Sequence, residues 1–116
     1  MYKGERRAKY GNRKTVVDGM TFDSQKESVR YQELSLMQRK GLISGLRRQV
    51  KFELIPKFKG ERAVSYFADF VYTDIENETV VVEDVKSKIT AKDNTYILKR
   101  KLLKYRYPDI VFKEVF

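Results

Sequence analysis

The chain has 116 residues, 41% of them hydrophobic, which suits one folded domain with a single modest core. Its 25 Lys and Arg against 16 Asp and Glu give a formal net charge of +9, so a polyanionic partner is expected, with nucleic acid favoured over an acidic membrane surface. The absence of Cys and His excludes disulfides, Cys-based zinc sites and histidine bases or metal ligands. Any catalysis must therefore use carboxylates, Lys, Arg, Tyr, Ser or Thr.

The N-terminal segment differs in composition from the rest of the chain. Residues 1–15 hold six basic residues against one acid and almost no aliphatic side chains, which predicts a flexible basic arm. Residues 16–116 are expected to form the single folded domain. No segment approaches the ~20 apolar residues of a membrane helix, and the charged N-terminus does not resemble a signal peptide, so we expect a cytoplasmic protein without membrane contact.

A first helix is predicted over residues 24–40. Ser24 suits the N-cap, Glu27 stands where it would complete a capping box, and Gly41 stands where a C-cap glycine belongs. Apolar residues recur through this segment at helical spacing.

Strands and a second helix follow. Four stretches alternate apolar and polar residues or are rich in β-branched and aromatic residues, as is typical of strands. They are residues 48–55, 64–73, 79–86 and 109–116. A helix over 94–106, stopped by Pro108, separates the last two. The predicted order is helix, three strands, helix, strand.

The hairpin formed by the second and third strands places two acids together. With Glu76 and Asn77 as the turn, Asp69 lies directly opposite Asp84, each within an apolar strand. Like charges at such positions destabilise a sheet, and burying both costs several kcal/mol. A divalent cation with oxygen ligands, such as Mg²⁺, would remove that cost.

Two further residues fit the same site. Lys86 follows Asp84 by two positions and shares its strand face, so it could orient a nucleophile or offset charge on a phosphate. Glu27 continues the core-facing stripe of the first helix and could reach the site from above.

Each of these residues has a simpler interpretation. Glu27 alone is more often a capping-box partner of Ser24. Asp84 and Lys86 could form a surface salt bridge, and Asp69 could be a buried acid satisfied by backbone donors. The joint pattern, in this order and on these elements, favours the site.

The pattern of Glu27 on a helix, Asp69 on the second strand and Asp84-Val85-Lys86 on the third resembles the PD-(D/E)xK nuclease superfamily. Within it, the run YGNRKT…DGMTFDSQKE…YFADFVY…VVEDVKS is similar to a phage and prophage family related to endonuclease-I-type Holliday-junction resolvases. The resemblance covers nearly the whole chain. It implies an α/β fold with a restriction-endonuclease-like core, in which a mixed four-stranded sheet of αβββαβ order is flanked by helices.

The resemblance also implies roles. Asp69 and Asp84, completed by Glu27, would bind Mg²⁺ or Mn²⁺, and Lys86 would be the catalytic lysine. The chain departs from the superfamily's pattern at Ala68, where the namesake proline would stand, and has Asp rather than Glu at position 84, which the motif allows.

Basic side chains suit the binding of phosphates around such a site. Between residues 86 and 106 there are eight Lys and Arg against one acid. The candidate DNA contacts are Lys3, Arg6, Arg7, Arg13, Lys14, Lys59, Arg62, Lys99, Arg100 and Lys104. The simpler interpretations of these charges are that the helix presents them to solvent and that the N-terminal tail only increases solubility.

Three functional hypotheses remain open. The first is a Mg²⁺-dependent, homodimeric endonuclease that resolves branched DNA, acting in the host cytoplasm if phage-encoded. The second keeps the site but cuts ordinary duplex, as in restriction or transposition. The third is a non-catalytic basic nucleic-acid-binding protein. None requires a small-molecule cofactor.

Overall fold

The computed structural model describes residues 14–116, which fold as an α/β domain. The strands are β1 (Thr15–Val17), β2 (Met20–Phe22), β3 (Ile43–Ile55), β4 (Val64–Asp74), β5 (Thr79–Val85) and β6 (Val111–Val115), and the helices are α1 (Gln25–Arg39) and α2 (Asn94–Arg106). A short 3-10 helix, Thr90–Lys92, precedes α2. No helix among the residues described is long and apolar enough to cross a membrane.

The main sheet has the strand order β3-β4-β5-β6. β3 pairs antiparallel with β4, and β4 with β5, whereas β6 lies parallel to β5, which confirms the prediction of a mixed four-stranded sheet. The two helices cover opposite faces. Val81 packs in one core cluster with Leu34 of α1, whereas its neighbour Val82 packs in the other with Leu103 of α2.

The ends of α1 follow from their capping residues. Ser24 accepts a hydrogen bond of 3.1 Å from the backbone N–H of Glu27, as expected of an N-cap. Gly41 adopts a φ of +80° and donates its N–H to the carbonyl of Gln38, which ends the helix at the expected place. The Glu27 side chain does not complete a capping box, because its carboxylate accepts a hydrogen bond from Gln49.

The hairpin of β4 and β5 has the register predicted from its turn. Phe70 pairs with Glu83 and Asp74 with Thr79, so the hairpin is centred on Glu76-Asn77, although the turn spans four residues, 75–78. The next pair in this register is Asp69 and Asp84. The predicted opposition of these two acids therefore agrees with the strand pairing.

Three features of the fold were not predicted. β1 and β2 form a small hairpin whose turn, Asp18-Gly19, has positive φ at both residues, as such tight turns require. Thr15 already pairs with Phe22, so the folded domain begins within the segment predicted to be an arm. β3 also starts five residues earlier than predicted, since Ile43 pairs with Asp74 across an irregularity in the strand.

A buried ion pair joins α1 to β5. The guanidinium of Arg30 donates two hydrogen bonds of 2.7 Å to the carboxylate of Glu83, which is fully buried. The hydroxyl of Tyr72 donates to the same carboxylate. These contacts raise the pKa of Arg30 further above its ordinary value, chiefly through the hydrogen bonds to Glu83, so the guanidinium stays charged.

Replacing Arg30 should destabilise the fold, because it leaves the Glu83 carboxylate buried without a cation. We expect Arg30→Met to lower the free energy of unfolding by about 3 kcal/mol. Urea denaturation of the variant and of Arg39→Met, which removes an exposed arginine at the other end of α1, measures the difference. Equal losses in the two variants would contradict the role of the ion pair.

Candidate active site

A cavity of about 450 Å³ lies where the N-terminal parts of α1 and α2 approach the first half of β4 and the end of β5. Its walls include Glu27 of α1, Asp69 of β4 and Asp84 of β5, together with Lys86 just beyond β5. The four residues singled out from the sequence thus come together in one cavity, although they are separated by up to 59 positions along the chain.

Asp69 occupies the point where β4 and β5 stop pairing. One carboxylate oxygen of Asp69 accepts a hydrogen bond of 2.7 Å from the backbone N–H of Val85, so the side chain takes a backbone donor of β5. Burial first, and then the hydrogen bond and charge of Asp84, raise the pKa of Asp69, with a smaller contribution from Glu27. The site therefore disfavours a full set of ionised acids in the absence of a cation.

Asp84 is buried and held from two sides. The hydroxyl of Tyr66 donates a hydrogen bond of 2.6 Å to Asp84 Oδ2, and Lys86 Nζ lies 3.4 Å from the same oxygen. Burial and the charge of Asp84 raise the pKa of Tyr66, which keeps its hydroxyl protonated as a donor. One oxygen of Asp84 is thus engaged by the protein.

Lys86 is confined by its surroundings. Its ammonium lies 4.1 Å from the ring centroid of Tyr96, a cation–π arrangement, and its side chain is only 20% exposed. Tyr96 is fixed in turn by a 2.5 Å hydrogen bond from its hydroxyl to Glu114, which also pairs with Arg100. The lysine is therefore held at the cavity wall rather than free in solvent.

Glu27 reaches the site through an intermediary. Gln49 Nε2 lies 3.2 Å from Glu27 Oε2 and also 3.2 Å from Asp69 Oδ1, so one amide joins the helix to the strand. Glu27 is 4% exposed, and burial, followed by the charge of Asp23, raises the pKa of its carboxyl group. Among residues 14–116, no three acidic side chains already stand together as metal ligands.

The sequence analysis missed Gln49, Tyr66 and Tyr96. Tyr66 precedes Asp69 by three positions, so a regular strand would place it on the opposite face. The alternation of β4 changes between Ala68 and Phe70, so Tyr66 and Asp69 both line the cavity. Tyr96 follows the N-cap Asp93 on α2 and could have been found by asking which residues of the first turn face the site.

The donor set suits a divalent cation with oxygen ligands. Asp69 and Asp84 are neighbouring carboxylates. After burial, the hydrogen bond and charge of Asp84 raise the pKa of Asp69, and a cation between the two acids would remove this repulsion. Mg²⁺ commonly takes only one or two protein carboxylates and leaves other positions to water and phosphate. Asp69 and Asp84 would hold the ion, with Glu27 beside them.

The predicted DNA contacts occupy different surroundings. Lys59 and Arg62 are exposed in the loop between β3 and β4, and Lys104 is exposed on α2. Lys99 lines the cavity, as does Lys26 of α1, which was not predicted. Lys14 pairs loosely with Asp23 at 3.4 Å, and Arg100 pairs with Glu114. Lys3, Arg6, Arg7 and Arg13 lie outside the residues that the structure describes.

Comparison with known proteins places the chain in a family. A family model described as "Protein of unknown function (DUF1064)" matches residues 7–115, nearly the whole chain. The chain belongs to the DUF1064 family. No curated protein and no solved structure matches it. Membership extends over both helices, every strand and the whole cavity, so all of the site residues described above lie within the DUF1064 region.

Asp69→Asn should stabilise the metal-free protein. Because the pKa of Asp69 is raised in the folded state, folding becomes less favourable as the pH rises above the ordinary value of 3.8. Removing the charge removes this loss, and a rise of a few degrees in the thermal midpoint is expected in EDTA. The gain should be larger at about pH 8 than at about pH 5. A midpoint that falls at both pH values would contradict the proposed charge repulsion.

Proposed function

We propose that this protein is a metal-dependent DNA endonuclease that hydrolyses phosphodiesters in branched DNA, as a phage Holliday-junction resolvase does. The observation that carries the proposal is the convergence of Glu27, Asp69, Asp84 and Lys86 on one cavity from three parts of the chain. These are the residues that resemble the PD-(D/E)xK motif. The mixed sheet between two helices is compatible with a restriction-endonuclease-like core, which we propose as the finer classification.

The chemistry follows from the side chains in the cavity. Asp69 and Asp84 would hold Mg²⁺ or Mn²⁺. When bound, the ion would polarise the scissile phosphate and lower the pKa of a water molecule. Lys86, fixed against Tyr96 and 3.4 Å from Asp84, orients the attacking water and offsets charge on the phosphate oxygens. Tyr66 keeps Asp84 in place through its 2.6 Å hydrogen bond.

Basic residues at the cavity support a phosphodiester substrate. Lys26 of α1 and Lys99 of α2 both line the cavity, so a phosphate backbone bound there meets positive charge from both helices. Lys59 and Arg62 add exposed charge on the loop before β4. Such contacts bind backbone rather than base sequence, which favours recognition of DNA shape. Two symmetric cuts at a junction would require a homodimer.

The proposal is tested by incubating the protein with a labelled four-way junction and with linear duplex, each with Mg²⁺ and with EDTA. We expect metal-dependent cleavage of the junction. Asp84→Asn should abolish it and leave junction binding intact, whereas Asp109→Asn, at an exposed acid away from the cavity, should cut normally. Equal cutting of linear duplex would favour a restriction- or transposition-type enzyme. Binding without any cleavage would favour a non-catalytic nucleic-acid-binding protein and overturn the nuclease proposal.

Lys86→Ala should separate chemistry from metal binding. The ammonium is assigned to water and phosphate, so the variant should lose cleavage by about 100-fold or more while Mn²⁺ affinity changes little. Calorimetric titration of Mn²⁺ and single-turnover cleavage measure the two effects, with Lys88→Ala as a nearby exposed control. Loss of metal affinity would show that Lys86 has a different role.

A further inference from the structure

Gln49 of β3 stands at a point where both β3 and its neighbour β4 change their alternation. In β3, Arg48 stacks on Phe22 on the α1 side of the sheet, at 3.9 Å from the ring centroid, whereas Val50 packs against the core cluster beneath α2. Residues two apart on a regular strand share a face. Gln49, which lies between them, has a φ of +50°, a conformation that non-glycine residues rarely adopt.

The same switch occurs on β4 directly opposite. Phe70 packs in the α1-side cluster and Ala68 in the α2-side cluster. Arg48 pairs with Phe70 and Val50 with Ala68, so Gln49 faces Asp69 across the two strands. The pairing of β3 with β4 is thus interrupted at Gln49 and Asp69, the position where the Asp69 side chain lines the cavity.

The side-chain amide of Gln49 supplies a hydrogen-bond donor at this interruption. Its Nε2 lies 3.2 Å from a carboxylate oxygen of Asp69 and 3.2 Å from one of Glu27. Glu27 comes from α1 and Asp69 from β4, so a single side chain fixes the distance between two acids on separate elements. An amide donates to both carboxylates without adding a charge, which leaves their negative charge available to a cation.

We propose that Gln49 is a positioning residue of the metal site, which ties Glu27 to Asp69 through its side-chain amide and so sets the spacing of the acids for a divalent cation. The inference rests on the proposed function. Hydrogen-bond partners of metal ligands typically contribute 10–100-fold to metal affinity or activity. The unfavourable backbone of a non-glycine residue at this point is consistent with selection for the side chain.

The test is Gln49→Met, which keeps the length of the side chain and removes both donors. Gln38→Met is the matched control, because Gln38 accepts a hydrogen bond from the backbone N–H of Leu46 on β3, and neither residue lines the cavity. Calorimetry with Mn²⁺ and cleavage of a four-way junction are measured for each, after thermal unfolding has verified folding. We expect Gln49→Met to lose at least about tenfold in Mn²⁺ affinity and in kcat, with an unchanged KM for DNA. Gln38→Met should lose neither.

Gln49→Asn is the second variant, since Asn tolerates positive φ but is too short to span both carboxylates. It should show the same losses. Wild-type Mn²⁺ affinity and kcat in either folded variant would overturn the inference while leaving the nuclease proposal standing. A wild-type protein that binds Mn²⁺ but cuts no DNA would overturn the proposed function, and the calorimetric comparison would still decide the role of Gln49. A wild type that binds no Mn²⁺ would overturn both.

Discussion

The carboxylate of Glu83 is fully buried, and the guanidinium of Arg30 donates two hydrogen bonds of 2.7 Å to it. Breaking a buried pair of this kind costs about 3–5 kcal/mol, so the position of α1 over β5 is strongly constrained. Arg30 lies one turn after Glu27 on the same helix. The ion pair that stabilises the fold therefore also fixes where Glu27 enters the cavity.

Glu83 and Asp84 are adjacent acids on β5 with different electrostatic surroundings. Glu83 is neutralised by a cation from the chain itself, whereas Asp84, on the other face, lines a cavity together with four further acids and three lysines. Tyr66 and Gln49 donate to these acids but bring no positive charge. The cavity lining thus has five carboxylates against the three ammonium groups of Lys26, Lys86 and Lys99, an imbalance that a divalent cation would offset.

Much of the architecture could be predicted because local chemistry and tertiary structure agree. Ser24 and Gly41 mark the ends of α1, and a turn centred on Glu76-Asn77 sets the register that opposes Asp69 and Asp84. The early start of β3 could not be predicted, because it depends on pairing with the far end of β4 rather than on its own alternation. Periodicity within a segment carries no information about the length of its partner.

Two of the missed site residues, Gln49 and Tyr66, lie on strands whose alternation is interrupted. Sequence reasoning assumes that a strand alternates without interruption, and under that assumption Tyr66 and Asp69 face opposite sides of the sheet. On the neighbouring strand β3 the alternation is interrupted at Gln49, which has a positive φ, and the residue type gives no sign of this, since Gly or Asn would be the usual choice there. Had stability alone decided this position, glycine would serve the backbone better. Only a side chain long enough to reach both Glu27 and Asp69 accounts for glutamine, which makes the irregularity part of the site rather than a defect of the strand.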